Sequence, residues 1–254
     1  MVGWRDFDES MPNRGHFALA ALEQHNKIGA VFDDRPEYYD SQERIDDVFA
    51  FGNGQNKIGI ITQNVDELHQ KAGSESVTEL HGRTGRLKCM NCGAHMSRAD
   101  FHSTLEDLNK DWLEDVLAER TKDDMRPDGD GEVKRDNYDD VLVPDCHECG
   151  VGFWKPDVVF FGDSVPKHRV ERCKGAMTAA DGLLCIGTSL AVHSAYRFVR
   201  MANELQVPIV VLNVGETRAE TEGVAVLKIE APIGATLSGC VDQFSAQTPT
   251  VPHR

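Results

Sequence analysis

The chain has 254 residues, 40% of them hydrophobic and 27% charged, which is enough for one large core or two smaller ones of ordinary globular composition. No apolar run approaches the roughly 20 residues of a membrane span, and MVGWRDFDES has the profile of neither a signal peptide nor a transit peptide. The net charge of −15 argues against the Lys/Arg surface that binds nucleic acid or anionic membrane, so neither is an expected partner.

Two segments, 33–47 and 93–145, carry −14 of that −15, and both read as solvated inserts rather than core. In chain order, HFALAALEQHNKIGAVF after Pro12 has helical spacing, with Trp4 and Phe7 packing beneath it. The polar stretch 33–56 reads as an insert in a connection and ends in the turn-rich FGNGQN. Residues 58–61 are an apolar run suited to a buried strand, with Gln63 and Asn64 at its end. Residues 65–72 have helical spacing, and Gly73 sits where a helix C-terminus favours a left-handed residue. A single histidine, His81, follows in ELHG. Taken alone, a histidine before a glycine is more often a hydrogen-bonded structural residue than a catalytic one.

Cys89 and Cys92 form one CxxC pair, and Cys146 and Cys149 a second, each followed by glycine. Without a signal peptide the pairs read as metal ligands rather than disulfides. Four thiolates suit one tetrahedral zinc, and such a closed site is structural, with no open position to activate water. The 53 intervening residues are longer than in a simple zinc ribbon. Inserted loops are nevertheless entropically cheap. Within them LEDLNKDWLEDVLAER reads as one amphipathic helix and RPDGDGEVKRD as a turn without the ligand series of a calcium loop.

From Lys155 onward apolar runs alternate with helical segments. Strands are expected at 158–161, 183–186, 208–212 and 224–229, with helices at 166–180, 193–205 and 235–244. That rhythm predicts an α/β fold with a doubly wound parallel sheet. Cys185, inside LLCIG, reads as a small buried hydrophobe. Polar and glycine residues recur at three strand ends: Gln63-Asn64, Gly187-Thr188-Ser189 and Asn213-Val214-Gly215. Open α/β sheets place ligands at such ends, which suggests a nucleotide-type site.

TQNVDELHQKAG, then ELHG, then CxxC resembles the core of the sirtuins (Sir2 family), NAD-dependent protein-lysine deacylases. KPDVVFFGDSVP, GTSL and LNVG extend the likeness from Gly3 to about Gly239, and the GW…PN…H segment and the long insert with Trp112 are most similar to the class II, sirtuin-4-type mitochondrial subgroup. The resemblance implies a Rossmann-like domain over 1–83 and 156–254, with a small zinc module and its acidic insert at 84–155. It implies that Gln63, Asn64, Val65 and Asp66 line the ribose and nicotinamide pocket. Gly187, Thr188, Ser189, Asn213, Val214 and Gly215 would hold the phosphates and adenosine end, with Ile233 near adenine. Val158, Val159, Phe160, Phe161 and Gly162 would bind an acyl-lysine protein substrate as an added strand. His81 would be the general base: the acyl-lysine oxygen attacks the ribose as nicotinamide leaves, and neutral imidazole then takes a ribose hydroxyl proton. The implied compartment is the mitochondrial matrix.

The family's opening strand and GAG-x-S loop have no counterpart in these 254 residues. Poor NAD binding by this chain, or none, is therefore expected, since pyrophosphate needs backbone amides and a helix N-terminus at close range. Two further readings stand beside the deacylase: a non-catalytic zinc-containing module that keeps the peptide groove, and a mono-ADP-ribosyltransferase.

Overall fold

The structure, a computed structural model, describes residues 9–24, 59–119 and 138–247. Trp4, Phe7, the end of the first expected helix, the polar 33–56 stretch, Ile58 and the RPDGDGEVKRD turn lie outside the described residues. The described part forms two compact units. One comprises residues 9–11, 64–67, 82–119 and 138–160; the other comprises 12–24, 59–63, 68–81 and 161–247.

In chain order the elements are α1 (Arg14–Gln24), β1 (Ile60–Thr62), α2 (Leu68–Lys71), β2 (Val77–Glu79), β3 (Gly82–Cys89), β4 (His95–Ser97), α3 (Arg98–Leu108) and α4 (Lys110–Glu119). They continue with β5 (Trp154–Val158), α5 (Lys167–Thr178), β6 (Leu183–Ile186), α6 (His193–Glu204), β7 (Ile209–Leu212), α7 (Arg218–Thr221), β8 (Leu227–Ile229) and α8 (Ile233–Gln247).

The larger unit is α/β with parallel pairing. β1 runs parallel to β2 in register Ile60↔Val77, and β6-β7-β8 form a parallel three-stranded sheet with Cys185↔Val211 and Val211↔Lys228. Strand residues alternate between two cores, as the period of two requires. Ile61, Leu183, Cys185, Ile209 and Val211 enter one with Cys173 and Met177 of α5 and Tyr196, Phe198 and Val199 of α6. Ile60, Ile186 and Leu212 enter the other with Ala18 and Leu19 of α1 and Leu237 of α8. The expected helices and strands from 166 onward are present, with β8 shorter and α8 beginning two residues earlier than expected. Cys185 is buried, and that burial pushes its thiol up to about 11, as expected of a small core hydrophobe.

Four expectations need correction. The helix expected over 65–72 is a single turn, because Glu67 sits at φ +59 and the helical ladder cannot extend upstream of it. Gly73 does take φ +96 beyond its end. The strand expected at 158–161 lies earlier, at Trp154–Val158, and pairs antiparallel with β3 instead of joining a parallel sheet. Pro156 is tolerated there because β5 is an edge strand of the β4-β3-β5 sheet.

Third, part of the acidic 93–145 stretch is core. Phe101 and Leu105, one helical turn apart on α3, pack with Leu87, Cys89, Cys146 and Trp154. Charged neighbours on the other face of α3 concealed that stripe. Fourth, LEDLNKDWLEDVLAER is two helices, broken at Asn109 (φ −125, ψ 33). The buried Asn109 amide donates to the carbonyls of Leu105 (2.7 Å) and Leu142 (2.8 Å), and its oxygen accepts from the Leu142 N–H (2.7 Å). These bonds pin the returning loop to the break. Asn109→Ala is expected to cost about 1–3 kcal/mol, the penalty for stranded polar groups, read as a lowered melting temperature with zinc retained.

Candidate functional site

In the smaller unit, β3 and the 146–152 loop bring the two CxxC pairs together. Cys89 Sγ lies 3.8 Å from Cys149 Sγ, and Cys92 Sγ lies 3.8 Å from Cys146 Sγ. All four sulfurs fall within 4.8 Å of one another. Thiolates at about 2.3 Å from a tetrahedral zinc are separated by about 3.8 Å, so the residues present fit one structural zinc ion.

The local chain is built for thiolates. Gly93 and Gly150 take φ +79 and +70, so their amides turn back onto the carbonyls of Cys89 (3.1 Å) and Cys146 (2.7 Å). The N–H groups of Asn91 and Cys92 reach Cys89 Sγ at 3.4 and 3.5 Å. The Asn91 side chain and the Val151 amide hold the Cys149 thiol down to about 6, while burial and the neighbouring sulfurs push the Cys92 thiol up to about 12. A Cβ on Gly152 would lie 2.3 Å from Cys89 Sγ, which makes glycine a steric requirement there.

In the larger unit the polar strand ends converge. Gln63, just past β1, places Nε2 3.5 Å from Thr188 Oγ1. Thr188 also accepts from the Leu190 N–H at 3.1 Å, which fixes the tight loop after β6. A Cβ on Gly187 would stand 2.9 Å from Cδ1 of Ile233, so the first residue of α8 closes on that loop. After β7, Asn213 donates to Val214 O at 2.9 Å, Gly215 N–H donates to the Glu230 carboxylate at 2.9 Å, and Lys228 donates to Gly215 O at 2.6 Å.

His81 ends the β2 turn and is half-buried in the same unit as these loops. Its Nε2 lies 2.8 Å from the Ser194 hydroxyl at the start of α6. Burial is the largest influence on its titration and holds it below 6.5; a hydrogen bond to the Gln63 backbone works the other way, and the Arg169 charge lowers it further. The ring is therefore neutral at pH 7, the state a proton acceptor needs.

The remaining expected residues belong elsewhere. Asn64, Val65 and Asp66 fall in the smaller unit, where the Val65 carbonyl accepts from the Thr84 N–H (2.9 Å) and hydroxyl (2.7 Å) of β3. Of the expected peptide strand, Val158 ends β5, while Val159 and Phe160 follow it in the smaller unit. Phe161 and Gly162 begin the next stretch of the larger unit, and Phe161 is fully exposed.

Residue types and spacing did not single out Ser194, Glu230, Lys228 or Arg218. Arg218 donates its backbone N–H to Ser189 O (3.0 Å) and a guanidinium N–H to Ala191 O (3.3 Å), and lies over the Tyr196 ring at 4.3 Å. One signal for this last group was present: Thr217 and Glu220 have capping-box spacing, and they cap α7.

The Sir2 family matches residues 48–194. An NAD-dependent protein deacetylase of Bradyrhizobium diazoefficiens is 36% identical over 238 residues, which is 94% of this chain and 73% of that protein. The NAD-dependent protein deacylase Sirt4 of Drosophila melanogaster is 36% identical over 241 residues, 95% of this chain and 65% of that protein. A solved structure of Sir2 with a p53 peptide and NAD+ superposes with a TM-score of 0.62 at 22% identity, covering 95% of this chain and 74% of that one. At that identity the superposition speaks for the fold, whereas the Bradyrhizobium relative and the family match across more than half the chain speak for descent. The chain belongs to the Sir2 family.

Proposed function

We propose that this chain is an NAD-dependent protein-lysine deacylase whose general base is His81. The observation that carries this reading is a half-buried histidine, held below 6.5 by burial, in the same unit as the Gln63–Thr188 pair and the loops after β6 and β7. Gln63, Gly187, Thr188, Ser189, Asn213, Val214, Gly215 and Ile233 of the larger unit would hold NAD. Backbone amides and small residues at parallel strand ends suit a dinucleotide. When bound, NAD supplies an activated ribose carbon that accepts the acyl oxygen as nicotinamide departs.

His81 takes a hydroxyl proton at Nε2, the nitrogen that faces Ser194. Exposed Phe160, beside the edge strand β5, suits an acyl-lysine peptide that adds as a strand. The zinc holds the smaller unit together and takes no part in the reaction, since four thiolates leave no open position. The class II, sirtuin-4-type likeness of this sequence supports a mitochondrial compartment, and localisation of the tagged protein tests it.

The pH dependence follows from His81. A depressed histidine is active when neutral, so kcat/KM is lost as pH falls through its folded value. The acid limb is therefore expected below 6.5, the ordinary histidine position. A limb at or above 6.5 contradicts the assignment of this ring as the base.

A further inference from the structure

We propose that Ser194 is a positioning residue for His81: its hydroxyl holds Nε2 in place before reaction and accepts a hydrogen bond from that nitrogen once the proton has arrived. The inference rests on the reading of His81 as the base. The geometry behind it is a 2.8 Å contact between two side chains 113 residues apart, both in the larger unit.

The neutral ring has one donor and one acceptor nitrogen. The ring also hydrogen-bonds the backbone of Gln63, where a carbonyl can accept only from an N–H. With Nε2 turned to Ser194, that N–H is assigned to Nδ1, and Nε2 carries the lone pair. The serine O–H then donates to Nε2.

A hydroxyl can reverse its role by rotating, because it has one proton and two lone pairs. The substrate hydroxyl displaces the serine O–H from the single Nε2 lone pair and delivers its proton there; Ser194 keeps its own proton and turns a lone pair toward the new N–H. The substrate oxygen keeps the electron pair of the broken O–H bond. A hydrogen bond to a charged group is stronger than one between neutral groups, so Ser194 favours the protonated ring over the neutral one.

The other polar surroundings oppose or ignore that charge. Arg169 faces the ring from α5 and repels a proton. Ser194 stands in the first turn of α6, whose positive end also disfavours imidazolium. Gln63 contributes its neutral backbone. Among these groups Ser194 is the side chain that offers Nε2 an acceptor.

The test is NMR titration of the His81 ring nitrogens in the zinc-loaded protein, in Ser194→Ala and in Ser194→Thr, with steady-state kinetics on an acetyl-lysine peptide and NAD. In Ser194→Ala the ring is expected to titrate about half to one pH unit lower than in the unaltered protein, the worth of one hydrogen bond. Turnover at pH 7 is expected to fall about tenfold with KM unchanged, and threonine, which keeps the hydroxyl, is expected to restore both. An unchanged or raised ring titration in the folded alanine variant, with His81→Ala inactive, overturns the role of Ser194 alone. Turnover retained by His81→Ala overturns the base reading and the catalytic part of this inference with it.

Discussion

Replacing Cys89 with serine is expected to remove the metal and unfold the unit formed by 82–119 and 138–160. Cys89 and Cys146 are each 1% exposed and sit inside the same small cluster as Leu87, Phe101, Leu105 and Trp154. A core of that size contributes about 1.5–3 kcal/mol per large buried side chain against the conformational entropy of the whole unit. A structural zinc contributes apparent free energies of about 10–16 kcal/mol, comparable to the entire stability of a domain. Metal analysis of the unaltered protein should give one zinc per chain, and Cys89→Ser should lose both the zinc and the near-ultraviolet signal of Trp154. Gly152→Ala is expected to act in the same direction, because its methyl would fall 2.3 Å from Cys89 Sγ and 2.9 Å from the Asn91 Cβ. Full zinc occupancy in a variant lacking both Cys146 and Cys149 contradicts the site.

His81→Ala is expected to lower turnover by about 10²–10⁴-fold while leaving the fold intact, the ordinary cost of losing a general base. The ring is half-buried and its lost contacts are one hydroxyl and one backbone group, so the stability change should be small. Its sign depends on pH. A histidine depressed in the folded state binds fewer protons there than when unfolded, so its presence costs stability as pH falls below 6.5 and costs nothing above it. His81→Ala should therefore flatten the acid side of the stability profile while leaving stability near pH 8 unchanged in that respect. Turnover within a few-fold of the unaltered protein contradicts the base assignment.

The legible parts of this molecule were those in which local pattern and tertiary position coincide. The run LLCIG gave β6, IVVL gave β7, and the CxxC pairs gave four sulfurs in tetrahedral reach, because each signal is carried by neighbouring residues. Three features were hidden for physical reasons. The one-turn α2 was overextended because a left-handed Glu67 is invisible in apolar spacing. The antiparallel pairing of β5 with β3 was missed because a Lys-Pro-Asp strand interior reads as a loop unless its edge position is known. Ser194 carries no motif at all: its role depends on a partner 113 residues away and on the first turn of α6 standing beside it. Asn109 belongs to the same class, since a helix break that captures a returning loop depends on Leu142, far along the chain.

The central claim is that the chain transfers the acyl group of a modified lysine to NAD-derived ADP-ribose. The direct measurement is mass spectrometry of the products formed by the purified, zinc-loaded protein from an acyl-lysine peptide and excess NAD. The account predicts free lysine peptide, nicotinamide and O-acyl-ADP-ribose in equal amounts, with the lysine peptide and O-acyl-ADP-ribose falling about 10²–10⁴-fold in His81→Ala and no product without NAD. Acyl release as free carboxylate without NAD, or ADP-ribose attached to protein with the acyl-lysine intact, would contradict it.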